Sequence, residues 1–308
     1  MIETWLQPLP HGITLSCRAA GERGRPVLMF LHGFPEAAFV WDPLLEHFAR
    51  PENGGYRCVA PNLRGYEQSS APSDVAAYRA KHLVQDMAAL IAIEAQGKPL
   101  ACLVAHDWGG AVAWNLANQL PQLQRQLAII NSPHPGTFLR ELKSNPKQQA
   151  ASAYMNFFIR PDAETLLKED DYRRLWDFFL NMGAGQNADG SGYGWLTDEV
   201  KALYRAVWDR GLTGGLNYYR ASPLRPPRPD DPASTSIELP REMLTIALPT
   251  LVLWGLGDTA LPPELIEGLD DYIPQLTLQR VPAATHWIVH EQPQLVITSL
   301  QAFLLQKQ

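Results

Sequence analysis

The chain has 308 residues, 46% of them hydrophobic, enough to enclose one large α/β domain or a core carrying a second unit. Its formal charge of −6 is spread without any lysine or arginine block, which argues against a nucleic-acid surface or a polybasic membrane anchor. Residues 1–20 show no leader pattern and no run approaches a membrane span, so a cytoplasmic monomer or homodimer acting on a small apolar molecule is expected.

Apolar runs alternate with helical spacing from the start. A first strand at residues 3–8 is followed closely by a second at about 12–19, within the run around ITLSCRAA, and the two read as an antiparallel edge pair. PVLMFLH (26–32), YRCVAPN (56–62), PLACLVAH (99–106) and QLAIIN (126–131) read as buried strands, with helical patterns over 39–50, 77–95 and 109–120 between them. The alternation stops after Asn131 and resumes with LPTLVLWG (248–255), LTLQRVP (276–282) and the helical PQLVITSLQAFLLQ (293–306). This predicts an α/β fold with a mostly parallel sheet flanked by helices.

The interruption far exceeds the roughly 2–6 residues of an ordinary β/α connection, so a second unit must be inserted there. The expected division is core 1–133, helical cap 134–245 and core 246–308. Within the cap, SAYMNFFI (152–159), DYRRLWDFFLNM (171–182) and LTDEVKALYRAVWDRG (196–211) have helical character, and PLRPPRPDDPAST (223–235) reads as an extended return. GAGQNADGSG (183–192) has neither a leading strand nor the Gly-Lys-Ser/Thr ending of a phosphate loop, and is expected to be a cap loop. Cys17, Cys58 and Cys102 each fall in a predicted buried strand without metal-ligand spacing, as core thiols do.

The chemistry-bearing residues sit at strand ends. HDWGG (106–110) places Asp107 at a strand-to-helix turn, where Gly109 and Gly110 allow tight packing and helix N–H groups can meet an oxyanion. Taken alone, Asp107 reads equally well as a helix N-cap. HGFPE (32–36) ends an earlier strand and offers a second N–H at Phe34. Asp258 and His286 each follow a later strand, giving the order Asp107, Asp258, His286 on the side where open α/β sheets bind ligands. His32 and His106 flank the two turns as backbone supports, and His134 stands at the entry to the insertion. His286 and His290 are four apart, but HExxH and a third ligand are missing, so no metal is expected; without a dinucleotide fingerprint, no cofactor is expected either.

HGFPE (32–36), HDWGG (106–110), INSPHP (130–135), the GD pair at Asp258 and the HW pair at His286–Trp287 together resemble an α/β-hydrolase-fold epoxide hydrolase. That group belongs to an aspartate-nucleophile branch that also holds haloalkane and fluoroacetate dehalogenases. The resemblance implies an α/β-hydrolase fold with an inserted helical cap. It implies Asp107 as nucleophile, His286 as base oriented by Asp258, and the Phe34 and Trp108 N–H groups as oxyanion hole. Phe34, Trp108 and Trp287 would contact substrate. Tyr154 in AYMNFFIRP and Tyr219 in LNYYRA would open the ring, with Tyr218 the substitute at the second position. Trp108 departs from the HDRG pattern of fluoroacetate dehalogenases, and Phe34 from the HGN pattern of many haloalkane dehalogenases. Asn131 stands where some relatives keep the acid, which favours Asp258, and PNLRGYEQSSAP (61–72) carries Asn62 and Glu67 in place of the Asp and Gly of a related loop.

A carboxylate attacking an acyl carbon gives an anhydride, whereas attack on an sp³ carbon gives a stable alkyl ester, so Asp107 selects an alkylating electrophile. An epoxide oxygen needs a proton on leaving, which two neutral tyrosines can supply, and a halide does not. The expected product is a vicinal diol. A haloalkane or haloacid dehalogenase and a non-catalytic ligand receptor of the same fold are the alternatives.

Overall fold

Every residue of the strands β3 (Val27–Leu31), β4 (Arg57–Pro61), β5 (Cys102–His106), β6 (Leu127–Ile130) and β7 (Thr250–Gly255) is buried in the computed structural model. Strands hidden on both faces read as continuous apolar runs rather than as alternation, which is why these segments stood out in sequence. Burial of each Leu, Ile or Val side chain contributes roughly 1.5–3 kcal/mol, so the register is strongly specified. The structure describes residues 1–185, 194–228, 231 and 236–306.

The sheet has eight strands in the order β1-β2-β4-β3-β5-β6-β7-β8, with β1 (Glu3–Pro8), β2 (Thr14–Ala20) and β8 (Leu276–Val281) completing it. β1 and β2 form the expected antiparallel edge, β2 pairs antiparallel with β4, and the remaining neighbours are parallel. Flanking helices are α1 (Asp42–Ala49), α2 (Ala80–Glu94), α3 (Trp108–Gln119) and, at the end of the chain, α11 (Pro293–Leu304); α1 packs against α11, and α2 against α3.

Between β6 and β7 lie α4 (Pro135–Ser144), α5 (Pro146–Ala151), α6 (Tyr154–Phe158), α7 (Ala163–Phe179), α8 (Asp198–Trp208) and α9 (Thr213–Ala221). The short α10 (Ile288–Glu291) precedes α11. α7 begins earlier than its sequence pattern indicated and is broken within, because Asp170, Asp171 and Tyr172 have positive φ. Residues 186–192 of the glycine-rich stretch and 229, 230 and 232–235 of the proline-rich return lie outside the described residues. Among the described residues no helix is long and apolar enough to cross a membrane.

The loop after β4 accommodates its two unusual residues by a shared network. Glu67 has φ 53, a conformation that glycine adopts more readily. Its carboxylate accepts from Ser16 Oγ at 2.6 Å and from the Gln68 N–H at 2.7 Å, while Asn62 Nδ2 donates to the same Ser16 Oγ at 3.1 Å. All three cysteines are free and buried, and burial pushes the Cys17 thiol up to about 12, which leaves it unreactive.

Candidate active site

Asp107 closes β5 and opens α3 with φ 49 and ψ −124, a backbone state costing roughly 1–3 kcal/mol that marks functional turns. Its side chain makes no capping bond to the helix, which sets the N-cap role aside. Instead Asp107 Oδ1 accepts the Phe34 N–H at 2.8 Å, and Ser132 Oγ donates to the Asp107 carbonyl at 2.6 Å. The turn is this tight because two glycines yield space. A Cβ on Gly33 would lie 2.2 Å from Asp107 Oδ1, and one on Gly109 would lie 2.4 Å from the Leu31 carbonyl oxygen.

His286, from the loop after β8, approaches the same carboxylate, with Nε2 3.7 Å from Asp107 Oδ2. Its Nδ1 is 2.7 Å from Asp258 Oδ2. Asp258, after β7, also receives Asn131 Nδ2 on Oδ2 at 2.8 Å, and the Ala260 and Leu261 N–H groups on Oδ1 at 2.9 and 2.8 Å. Asn131 is fixed in turn, since its Oδ1 accepts the Gly255 N–H at 2.8 Å. Burial pushes the His286 pKa down, but Asp258 beside it, then Asp107 and Glu36, outweigh that effect and raise it to about 9.

Beneath His286 lies a polar cluster that the sequence did not disclose. His106 Nε2 is 2.9 Å from the His286 carbonyl oxygen, and its Nδ1 is 3.2 Å from Glu36 Oε2. Glu36 Oε1 is shared by His290 Nε2 at 2.6 Å and by the Tyr204 hydroxyl, which donates to it at 2.8 Å. Burial favours the neutral Glu36 acid, but the neighbouring His290 and His106 prevail and hold its carboxyl well below the usual range. The i, i+4 spacing of His286 and His290 therefore reflects a carboxylate partner for His290. Among the described residues no group of three or more His, Cys, Asp or Glu could hold a metal ion.

A cavity of about 310 Å³ opens over Asp107 and is walled by Trp108, Tyr154, Tyr219 and Tyr218 together with apolar residues such as Phe138, Met155 and Leu261. Tyr154 and Tyr219 come together edge-on with centroids 6.2 Å apart, and Trp108 stands perpendicular to Tyr219 at 5.0 Å. Burial first, and then the nearby acidic groups, push both phenols well above their ordinary range, so both are neutral donors at neutral pH. Tyr218 also borders the cavity, but its hydroxyl donates to the Arg64 carbonyl at 2.9 Å.

Two residues expected to contact substrate, Trp287 and Phe34, do not line this cavity. Trp287 is fully buried, donates to the Phe179 carbonyl at 3.2 Å and packs edge-on against His286 at 4.8 Å, outside the cavity wall. The Phe34 ring does not border the cavity itself but packs behind it against Phe158 and Tyr219, while its N–H reaches Asp107.

Residues 26–293 match the family described as alpha/beta hydrolase fold. The chain belongs to the α/β-hydrolase-fold family. It is 31% identical to epoxide hydrolase 4 of Mus musculus over 95% of this chain and 77% of that protein. It is 34% identical to the AB hydrolase superfamily protein YfhM of Bacillus subtilis, over 93% of this chain and 92% of that one. The crystal structure of a Bacillus megaterium epoxide hydrolase with an inhibitor superposes with a TM-score of 0.85 at 29% identity, covering 98% of this chain and all of the other.

This α/β hydrolase thus brings Asp107, His286, Asp258, Trp108, Tyr154 and Tyr219 into one region and leaves Trp287 behind it. The cluster of Glu36, His106, His290 and Tyr204 had no local signature, because Tyr204 is 168 residues from Glu36 in sequence and His290 is 254.

Proposed function

We propose that this α/β hydrolase is an epoxide hydrolase that turns an epoxide and water into a vicinal diol through an alkyl ester on Asp107. The observation that carries the reading is one small, largely apolar cavity bordered by the Asp107 carboxylate and by two neutral phenols, Tyr154 and Tyr219. An acyl-transfer enzyme has no use for that pair, and a halide leaving group needs no proton. The names of the mouse and Bacillus megaterium relatives agree with it.

With Asp107 Oδ1 held by the Phe34 N–H, Oδ2 is the attacking oxygen. It forms a bond to a ring carbon as the carbon–oxygen bond of the epoxide breaks, and a proton from Tyr154 or Tyr219 passes to the departing oxygen. His286, oriented by Asp258, then takes a proton from water as the water oxygen adds to the Asp107 carboxyl carbon. The negative charge on Oδ1 is met by the Phe34 N–H and by that of Trp108 at the head of α3, each donor worth ~3 kcal/mol or more. Collapse expels the diol oxygen with the proton held by His286, and the remaining proton restores the phenol. The helices between β6 and β7 act in this reading as a cap, residues 134–245, on the core 1–133 and 246–308. The free thiols fit a reducing compartment, and the cytoplasm is the location this reading carries.

A single turnover in ¹⁸O-water tests the covalent route. The first diol should be largely unlabelled because its new oxygen comes from Asp107, and later turnovers should carry label; full label in the first turnover rejects the ester.

A further inference from the structure

Phe34, Pro35 and Glu36 are consecutive, and each is held through a different group. The Phe34 N–H meets Asp107 Oδ1 at 2.8 Å, the Pro35 carbonyl accepts the Trp208 indole N–H at 2.8 Å, and Glu36 accepts the Tyr204 hydroxyl at 2.8 Å. Tyr204 and Trp208 sit one turn apart on α8, so one face of a single inserted helix grips two successive residues next to the oxyanion donor. Both side chains are almost completely buried, at 0% and 1% exposure, so these bonds are made in a dry interior where they constrain strongly. From the core, Asp107 accepts the Phe34 N–H, the Gly33 carbonyl accepts the Glu36 N–H, and the imidazoles of His106 and His290 meet the Glu36 carboxylate.

We infer that Tyr204 and Trp208 are positioning residues that fix the Phe34 N–H from the cap side, making α8 a strut for the oxyanion hole. This deepens the epoxide-hydrolase reading and rests on it for its kinetic consequence. The two half-reactions depend on the Phe34 donor in opposite senses. During alkylation the bond to Oδ1 withdraws charge from the nucleophile, so loosening it leaves attack intact. During ester hydrolysis Oδ1 becomes a full oxyanion, so loosening the donor raises that barrier. Losing the strut therefore slows hydrolysis selectively and lets the alkyl-enzyme accumulate.

The test uses Tyr204→Phe, Trp208→Phe and the pair, which remove the two donors and leave an aromatic ring at each position, the indole of Trp208 giving way to a smaller phenyl. Tyr172→Phe is the control, since it cuts the 2.5 Å bond from Tyr172 to Asp209 just past the same helix without touching residues 34–36. Two readouts are taken with the full chain: hydrogen exchange of the peptide holding residues 33–36, and pre-steady-state alkylation and hydrolysis of styrene oxide followed by the mass of the Asp107 peptide. The pair should speed exchange at 33–36 and slow hydrolysis roughly tenfold or more, with alkylation changed less than about twofold, and Tyr172→Phe should do neither. Unchanged exchange in the pair overturns the strut, as does a fall of both rate constants by the same factor, which is the mark of a merely structural loss. If the wild type forms no Asp107 adduct with any epoxide, the epoxide reading fails, and the exchange result still decides the strut.

Discussion

Replacing Asp258 by Asn changes one oxygen for an NH₂ group, and the structure says what that does. Asp258 accepts four hydrogen bonds, two backbone N–H groups on Oδ1 and His286 Nδ1 with Asn131 Nδ2 on Oδ2. An amide has a single acceptor oxygen. The Ala260 and Leu261 N–H groups will retain it, which turns the NH₂ toward His286 and Asn131. Asn131 cannot flip to accept without releasing the Gly255 N–H from its own Oδ1. His286 must then accept at Nδ1 and carry its proton on Nε2, the atom that faces Asp107 and has to receive a proton from water. With the wrong tautomer, ester hydrolysis should fall ~10⁴-fold, or about 5.4 kcal/mol of barrier.

Alkylation needs no base and should survive within about tenfold. Mixing Asp258→Asn with excess styrene oxide should therefore give one fast phase of tryptophan fluorescence from Trp108 beside the nucleophile, followed by a stalled enzyme. The Asp107 peptide should carry the mass of one substrate. Loss of both phases in a folded variant that still binds substrate would refute the tautomer argument, and so would hydrolysis retained within tenfold of wild type.

Further outcomes follow from the same geometry. Tyr154→Phe with Tyr219→Phe should nearly abolish alkylation by an epoxide while sparing alkylation by a bromoalkane of matched size, if the wild type shows any; equal losses on both substrates would make the tyrosines pocket walls only. Gly33→Ala must push a methyl group into a position 2.2 Å from Asp107 Oδ1, so single-turnover alkylation should fall at least ~100-fold, and retention within tenfold would show that the turn relaxes without moving the nucleophile. For pH, the raised pKa of His286, about 9 in the resting protein, means that a protonated imidazole must lose its proton before it acts as base. The hydrolysis rate constant, measured from decay of the alkyl-enzyme, should therefore rise with pH, with a midpoint below 9 because the Asp107 charge is gone from the ester. The same raised pKa adds stability that is complete below pH 6.5 and fades as pH rises through 9, read as a falling Tm on the alkaline side.

Much of this was legible in the chain because the physics that places it is local. Strands buried on both faces need continuous apolar runs, and the candidate residues Asp107 and Asp258 follow two such strands within a few residues, as His286 follows the partly exposed edge strand β8. Trp287 shows the limit of that proximity: next to His286 in sequence, its side chain turns away to the Phe179 carbonyl in the insertion. The break in α7 was hidden for another reason. Glu169–Tyr172 contains neither Gly nor Pro, and its left-handed turn is held by partners on or just after α8, with Asp171 on Arg205 and Tyr172 on Asp209. Glu36 was visible only as one letter of HGFPE, since the insertion and the end of the chain supply its partners Tyr204 and His290.

The charge of Asp107 links the two halves of the proposed reaction. In the resting site it helps to hold a proton on His286, and a carboxylate nucleophile is not hindered by that proton because its attack needs no base. Alkylation converts Asp107 into a neutral ester and removes one of the groups that raise the His286 pKa. Asp258 remains, fixed in place by four donors. The imidazole thus loses affinity for its proton at the step where it must become a base, and diol release restores the Asp107 charge and with it the resting state. A serine at position 107 would carry no such charge and would need a neutral His286 from the outset, so the carboxylate determines both the electrophile and the protonation state in which the site waits.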